Sequence, residues 1–251
     1  MCHVDQVFVS GLLNKFAKWL FVSIMKNKNL GDLVLEKAYR FDNLVNEVGI
    51  QLAERLAYID FLLNFRGSFS RADLSAFFGL KDAAVSNLVS NYKTYRENNV
   101  FYDRAARKNV IQPESFVSLV EFNAETALGM LANGFNKNKL QDRPLVPYER
   151  IGATPKKLDI SMVAKISRAI CNQSGVSCCY LSGSSDNHEM RTLFPTAIFF
   201  DGMSWMFRAY HRGEQAGANA FKCFNFSRLS IVEEDSSLVP SLKERFEQDA
   251  D

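Results

Sequence analysis

The residues best suited to chemistry fall in two stretches of the chain. Arg104, Arg107 and Lys108 crowd one short segment between two apolar runs, and cations gathered in such a turn suit contacts to phosphate. Upstream, Lys81, Ala83, Ser86, Asn87, Ser90 and Lys93 occupy the side of a helical pattern opposite Val85, Leu88, Val89 and Tyr92. Small and polar side chains on one helix face can enter a major groove, where Ser and Asn bond base edges. Ser70 and Arg71, at the start of the preceding helix, complete the candidate DNA-binding set. From Arg66 to Lys108 there are eight basic residues (66, 71, 81, 93, 96, 104, 107, 108) and four acidic ones (73, 82, 97, 103), a local net of +4 in a chain of total charge +2. That footprint is modest for one module, so tight binding to duplex DNA calls for a dimer.

Catalysis has weaker raw material. Cys178, Cys179 or Ser182 could serve as a nucleophile with His188 or His211 as base. Adjacent cysteines on a strand point to opposite faces, and neither opens a helix that would depress its pKa. No GxSxG elbow, phosphate loop, HExxH or paired-carboxylate motif occurs, and His3, His188 and His211 lack metal-ligand spacing. The expectation is a non-enzyme with no cofactor and no metal. The five cysteines are odd in number and irregularly spaced, which fits no disulfide framework and makes a reducing cytoplasm the simplest compartment. With 251 residues, 47% of them hydrophobic and 23% charged, collagenous, low-complexity and largely disordered classes are excluded.

The elements that must position these residues follow from periodicity. Residues 51–65 form a core-facing stripe ended by Arg66-Gly67. Ser70 is placed to cap a short helix with Asp73 three residues on, and Gly79 stops it. A third helix covers 81–95, so the three make a helix-turn-helix, and 99–112 reads as strand, basic turn and strand, the wing. Residues 114–133 read as a helix, leading to a loop to 157 that Pro144, Pro147 and Pro155 keep irregular, and 158–172 as another helix. Strands are expected at 176–181, 190–200 (with Pro195 marking a bend or edge), 204–211 and 220–230, with a turn at Asp201-Gly202, which suggests a small barrel. At the N-terminus, 7–25 forms a wide apolar face interrupted by Lys15 and Lys18, which suits a helix packed on protein or on a dimer partner better than a membrane span. Met25 is an alternative start.

The second half resembles the WYL domain, a small SH3/Sm-like β-barrel found mainly in bacterial transcription regulators. The matching residues are Tyr180-Leu181-Ser182, Arg191 with Leu193 and Pro195, Trp205 through His211, and Phe221 through Leu229. The name-giving triplet has drifted to Trp205-Met206-Phe207, as in repressors associated with phage-defence islands of the BREX- and CBASS-linked type. Residues 54–116 resemble the winged helix of that same branch, apart from Ala84 and Leu88 where its members usually carry Gln and Asp. The resemblance implies a homodimer on an inverted-repeat operator, and a barrel that senses a nucleotide or nucleic-acid fragment through Tyr180, Ser182, Arg191, Arg208, Tyr210 and Arg228. Members of the branch continue into a C-terminal dimerisation domain, so either the chain is truncated or dimerisation relies on the N-terminal helix and the connector. Trp205 is expected in the core rather than on a ligand.

The expected class is α+β. Residues 1–50 are a helical extension, 51–116 a winged helix-turn-helix, 117–157 a helical connector, 158–231 a WYL-like sensing domain and 232–251 an acidic tail. The expected function is a DNA-binding transcriptional repressor of a phage-defence locus. The alternative is a nucleic-acid-binding sensor or interaction module without promoter regulation.

Overall fold

Two glycines in the left-handed region frame the first long helix. The computed structural model describes residues 37–141, 146, 158–181, 190–213 and 219–246; the expected helix over 7–25, His3, Ser182 and His188 lie outside them. Helix α1 (Phe41–Val48) ends at Gly49 and α2 (Ile50–Arg66) at Gly67, with φ of +82° and +83°. The Gly67 N–H caps α2 on the carbonyls of Leu62 and Leu63. Residues Leu56, Ala57, Ile59 and Leu63 of α2 are fully buried, and Phe41 and Leu44 of α1 join them in one core, so the helix at 41–48 packs within the winged-helix core.

The helix-turn-helix forms where the sequence places it. After β1 (Ser68–Phe69), Ser70 opens α3 (Arg71–Phe78): its hydroxyl accepts from Asp73 N and the Asp73 carboxylate accepts from Ser70 N, the reciprocal capping box. Gly79, at φ +64°, ends α3, and α4 (Asp82–Tyr95) follows with Val85, Leu88 and Tyr92 buried and Val89 half-buried. The wing is the antiparallel pair β2 (Val100–Asp103) and β3 (Lys108–Ile111), extended by β1 in the order β1-β3-β2. Asp103 accepts from the N–H groups of Ala105 and Ala106, shaping the turn that carries Arg104 and Arg107.

Residues 114–123 are not helical, contrary to the expectation for 114–133; the helix here, α5, is Ala124–Asn133, capped by Asn123. The cause is capture from a distance. Buried Asp60 accepts from Leu119 N, Val120 N, Ser118 Oγ and Tyr92 Oη, Asn99 brackets both backbone groups of Val117, and Tyr39 bridges to Val120. With their hydrogen bonds made elsewhere, these residues have no use for an i→i−4 ladder.

Helix α6 (Ile160–Asn172) leads into an antiparallel sheet of β4 (Gly175–Tyr180), β5 (Met190–Phe200), β6 (Trp205–Arg212), β7 (Ala220–Asn225) and β8 (Leu229–Asp235), in the order β7-β6-β5-β4-β8. The segment expected as one strand over 220–230 is two strands joined by a 3-10 turn, Phe226–Arg228. Because β7 and β8 lie at opposite edges yet are linked by these three residues, the sheet must roll until its edges approach each other. Tyr180 Oη accepts from Asn225 N across that gap. Among the described residues no ladder joins β7 to β8, so the expected barrel is an open, rolled sheet.

Strand β8 runs to Asp235, beyond the expected end of the sensing domain at 231, and the chain then folds back to a short helix α7 (Leu242–Arg245). The inward face of the sheet buries Val176, Cys178, Leu193, Phe207, Ala209 and Phe224 together with α6 and with Phe61 and Phe65 of α2. Trp205 is half-buried against that core, as expected.

Candidate functional site

The face of α4 turned away from its core carries Ala83, Asn87 and Ser90 in the open, with Lys81 exposed at the N-cap position. Ser86 and Lys93 are half-buried, and the Ser86 hydroxyl donates back to Asp82 O. The wing exposes Arg104, Arg107 and Lys108, with Arg107 at φ +54°. Arg71 is exposed on the first turn of α3, whereas the Ser70 hydroxyl is engaged in the cap.

Two of the counted cations are structural. Arg66 forks onto Asp73 at 2.5 and 3.3 Å, reinforcing the cap of α3. Arg96, 5% exposed, donates to the carbonyls of Lys37, Tyr95, Val117 and Ser118. Removing Arg96 and the self-neutralising Arg66–Asp73 pair leaves six cations (71, 81, 93, 104, 107, 108) and three carboxylates (82, 97, 103), a net of +3 on this side. The sequence reading passed over Phe101 and Tyr102, both exposed on the outer wing strand β2. Strand alternation gives no cue to them, because consecutive residues point to opposite faces and here both are exposed.

The sheet divides the expected sensing residues. Cross-strand partners share a face, so the pairs Cys178↔Arg191, Val176↔Leu193 and Leu193↔His211 put Tyr180 and Arg191 on the inward face. The pairs Arg208↔Cys223 and Tyr210↔Phe221 lie on the outward face. There, Arg208 Nη1 donates to Cys223 Sγ at 3.3 Å and its guanidinium sits 5.8 Å from the Phe221 ring, which meets Tyr210 edge-on at 5.3 Å. On the inward face the Arg191 guanidinium lies 5.7 Å from the centre of the Tyr180 ring. Arg228 is exposed at the end of the 3-10 turn, its carbonyl accepting from Leu181 N. Of the residues weighed for catalysis, Cys178 is fully buried and its thiol is pushed up to about 12 by burial, the reverse of an activated nucleophile. Among the described residues no group of histidines, cysteines and carboxylates could hold a metal ion.

One side chain ties the two halves together. Arg168 on α6 donates from Nε and Nη2 to both carboxylate oxygens of Glu234 on β8, at 2.9 and 2.5 Å, and from Nη1 to the carbonyl of Asn64 in the last turn of α2. It therefore links the five-stranded sheet to the helix that leads into the helix-turn-helix.

A winged helix-turn-helix joined to a rolled antiparallel sheet through one helix is matched, part by part, by two family models, so the chain carries a winged helix-turn-helix domain and a WYL domain. The model of the BrxR transcriptional regulator winged helix-turn-helix domain matches residues 51–133, and the WYL domain model matches residues 161–234. Neither describes a catalyst. The chain is 29% identical over 186 residues to the DNA-binding transcriptional repressor CapW of Pseudomonas aeruginosa, covering 70% of this chain and 58% of that protein. It is 29% identical over 169 residues to CapW of Escherichia coli strain KTE188, covering 64% and 56%, and 27% identical over 194 residues to CapW of Stenotrophomonas maltophilia, covering 74% and 62%. It thus spans somewhat over half the length of these curated relatives. Proteasome accessory factor B/C of Arthrobacter aurescens aligns over 84% of this chain and 36% of that one, at 15% identity and a TM-score of 0.31, too distant to bear on the fold.

Proposed function

We propose that the protein is a DNA-binding transcriptional repressor of a phage-defence locus, acting as a homodimer on an inverted-repeat operator, whose WYL sheet senses a nucleotide or nucleic-acid fragment. The observation that carries the reading is the exposed small-and-polar face of α4 beside a wing hairpin bearing Arg104, Arg107 and Lys108. A helix of that surface fits a major groove, and the hairpin cations fit the flanking phosphates. The name of the CapW relatives supports repression. Lys81 and Arg71 add phosphate contacts at the groove edge, and Ser86, Asn87 and Ser90 read bases, with Ala83 allowing close approach. Ligand occupancy acts on DNA binding through the Glu234–Arg168–Asn64 link, because any shift of β8 against α6 pulls on the end of α2. Action on an operator places the protein in the cytoplasm; no helix among the described residues is long and apolar enough to cross a membrane.

The test is a gel shift with DNA from immediately upstream of its own gene, comparing wild type with an Arg104→Ala, Arg107→Ala, Lys108→Ala triple variant. Specific binding at two chains per duplex, lost in the variant, supports a winged-helix repressor. Absence of sequence preference by wild type overturns promoter regulation and favours the sensor or interaction module.

A further inference from the structure

At one end of the sheet, where β4 and β6 finish and β5 and β7 begin, the inward face carries donors that the expected sensing set did not include. His211 and Lys222 belong there by register, since His211 pairs with Leu193 and Lys222 with Ala209, both buried in the inward core. Arg191, two residues before Leu193, completes a group on three neighbouring strands. Lys222 Nζ lies 3.2 Å from His211 Nδ1. An ammonium can only donate, so Nδ1 accepts and the neutral imidazole keeps its proton on Nε2. Burial, with Lys222 and Arg191 close by, holds the imidazole below its usual 6.5, which keeps it in that neutral form. What the rim offers a ligand is therefore a guanidinium fork, an ammonium and an imidazole N–H.

We propose that this rim binds a phosphate monoester, the terminal phosphate of a nucleotide or oligonucleotide, with Arg191 as bidentate partner, Lys222 as point charge and His211 Nε2–H as third donor. A monoester brings nearly two charges and three free oxygens at neutral pH, whereas a backbone diester brings one charge and two. Two fixed cations and a third donor match the monoester in both charge and number of bonds. The Tyr180 ring beside Arg191, itself buried in the core, limits the swing of the fork. The proposal rests on the ligand-sensing reading of the sheet and is independent of the DNA-binding face.

Calorimetric titration of the full chain tests it. The probes are a short single strand of thymidylates with a 5′-phosphate, the same strand with a 5′-hydroxyl, thymidine 5′-monophosphate and inorganic phosphate. Wild type is expected to prefer the 5′-phosphorylated strand by at least about tenfold. Lys222→Met and His211→Gln should each bring that preference close to parity. Competition by thymidine 5′-monophosphate would identify a nucleotide as sufficient, and equal competition by inorganic phosphate would make the anion itself the ligand; either supports the site. Parity in wild type, a preference that survives in both variants, or no binding of any phosphorylated probe overturns it. Operator binding by the same preparations separates the two readings: parity with intact duplex binding removes only this site, and loss of duplex binding in wild type removes only the repressor.

Discussion

Asp60 is fully buried and holds four donors: Tyr92 from the recognition helix, and Ser118, Leu119 and Val120 from the segment beyond the wing. Burial raises its pKa against the pull of those hydrogen bonds, so the site tolerates a carboxylate only because both oxygens accept, Oδ1 from Tyr92 and Oδ2 from the other three donors. Asp60→Ala would strand two backbone N–H groups and the Tyr92 hydroxyl, at about 3–5 kcal/mol, and Tyr92→Phe would cost about 1–2 kcal/mol. Urea titration of both variants checks this; equal, small losses would show that the network is not cooperative. Glu244 supplies the pH-dependent case. The Arg212 fork, at 2.7 and 2.8 Å, with help from Ser241, holds its carboxyl at about 2 from an ordinary 4.5. A depressed folded pKa means stabilisation fully present above pH 4.5 and lost as pH falls toward 2. Melting curves of wild type and Glu244→Gln should therefore differ above pH 4.5 and converge toward pH 2; a gap independent of pH would deny the pair a role. The Ser70–Asp73 cap was legible in the sequence because its partners are three residues apart. Asp60 was not, because its partners lie 32 to 60 residues away.

Among the elements, α2 ends under a constraint that sequence hints at and structure explains. Gly67 adopts φ +83°, and a Cβ added there would meet Asn172 Nδ2 at 3.2 Å and Arg168 Cδ at 3.4 Å. Gly67→Ala should cost about 1–3 kcal/mol, from left-handed strain and crowding of the Arg168 link, read as a lowered melting temperature. The wing carries the electrostatic prediction. Each phosphate contact contributes about 0.9 to the slope of log affinity against log salt, so the wing triple-alanine variant should flatten that slope by up to about 3. Asn87→Ala should instead cost about 1–3 kcal/mol on the operator and leave the slope alone. A slope unchanged in the wing variant would move the hairpin off the DNA. Helix-turn-helix and wing were readable because their signals are local: a cap, a glycine, a basic turn. The false helix over 114–123 arose because Phe116, Val117, Leu119 and Val120 fit helical spacing, while the groups that claim their backbone are Tyr39, Asp60 and Asn99, distant in sequence.

For the molecule as a whole, the family resemblance and element order were legible, but the distribution of residues over the two sheet faces was not. A bulge between Pro195 and Ala197 shifts the register of β5 against β6, and a shift of one residue exchanges the faces. Tyr180 and Arg191 are thereby parted from Arg208 and Tyr210, while His211 and Lys222 join the inward set. The shared packing of the halves has a consequence for how the protein comes apart. Phe61 and Phe65 of α2 are buried with Val163, Ile166 and Phe207 of α6 and the sheet, and Arg168 closes the same seam. Heating should accordingly give one calorimetric transition, with the van't Hoff and calorimetric enthalpies equal. A fragment ending at Asn133 would lose Arg168 and expose both phenylalanines, and should be recovered as a molten or aggregating species. The region matched by the winged-helix model should therefore fold only together with the sheet, and its melting should report on that sheet as much as on itself.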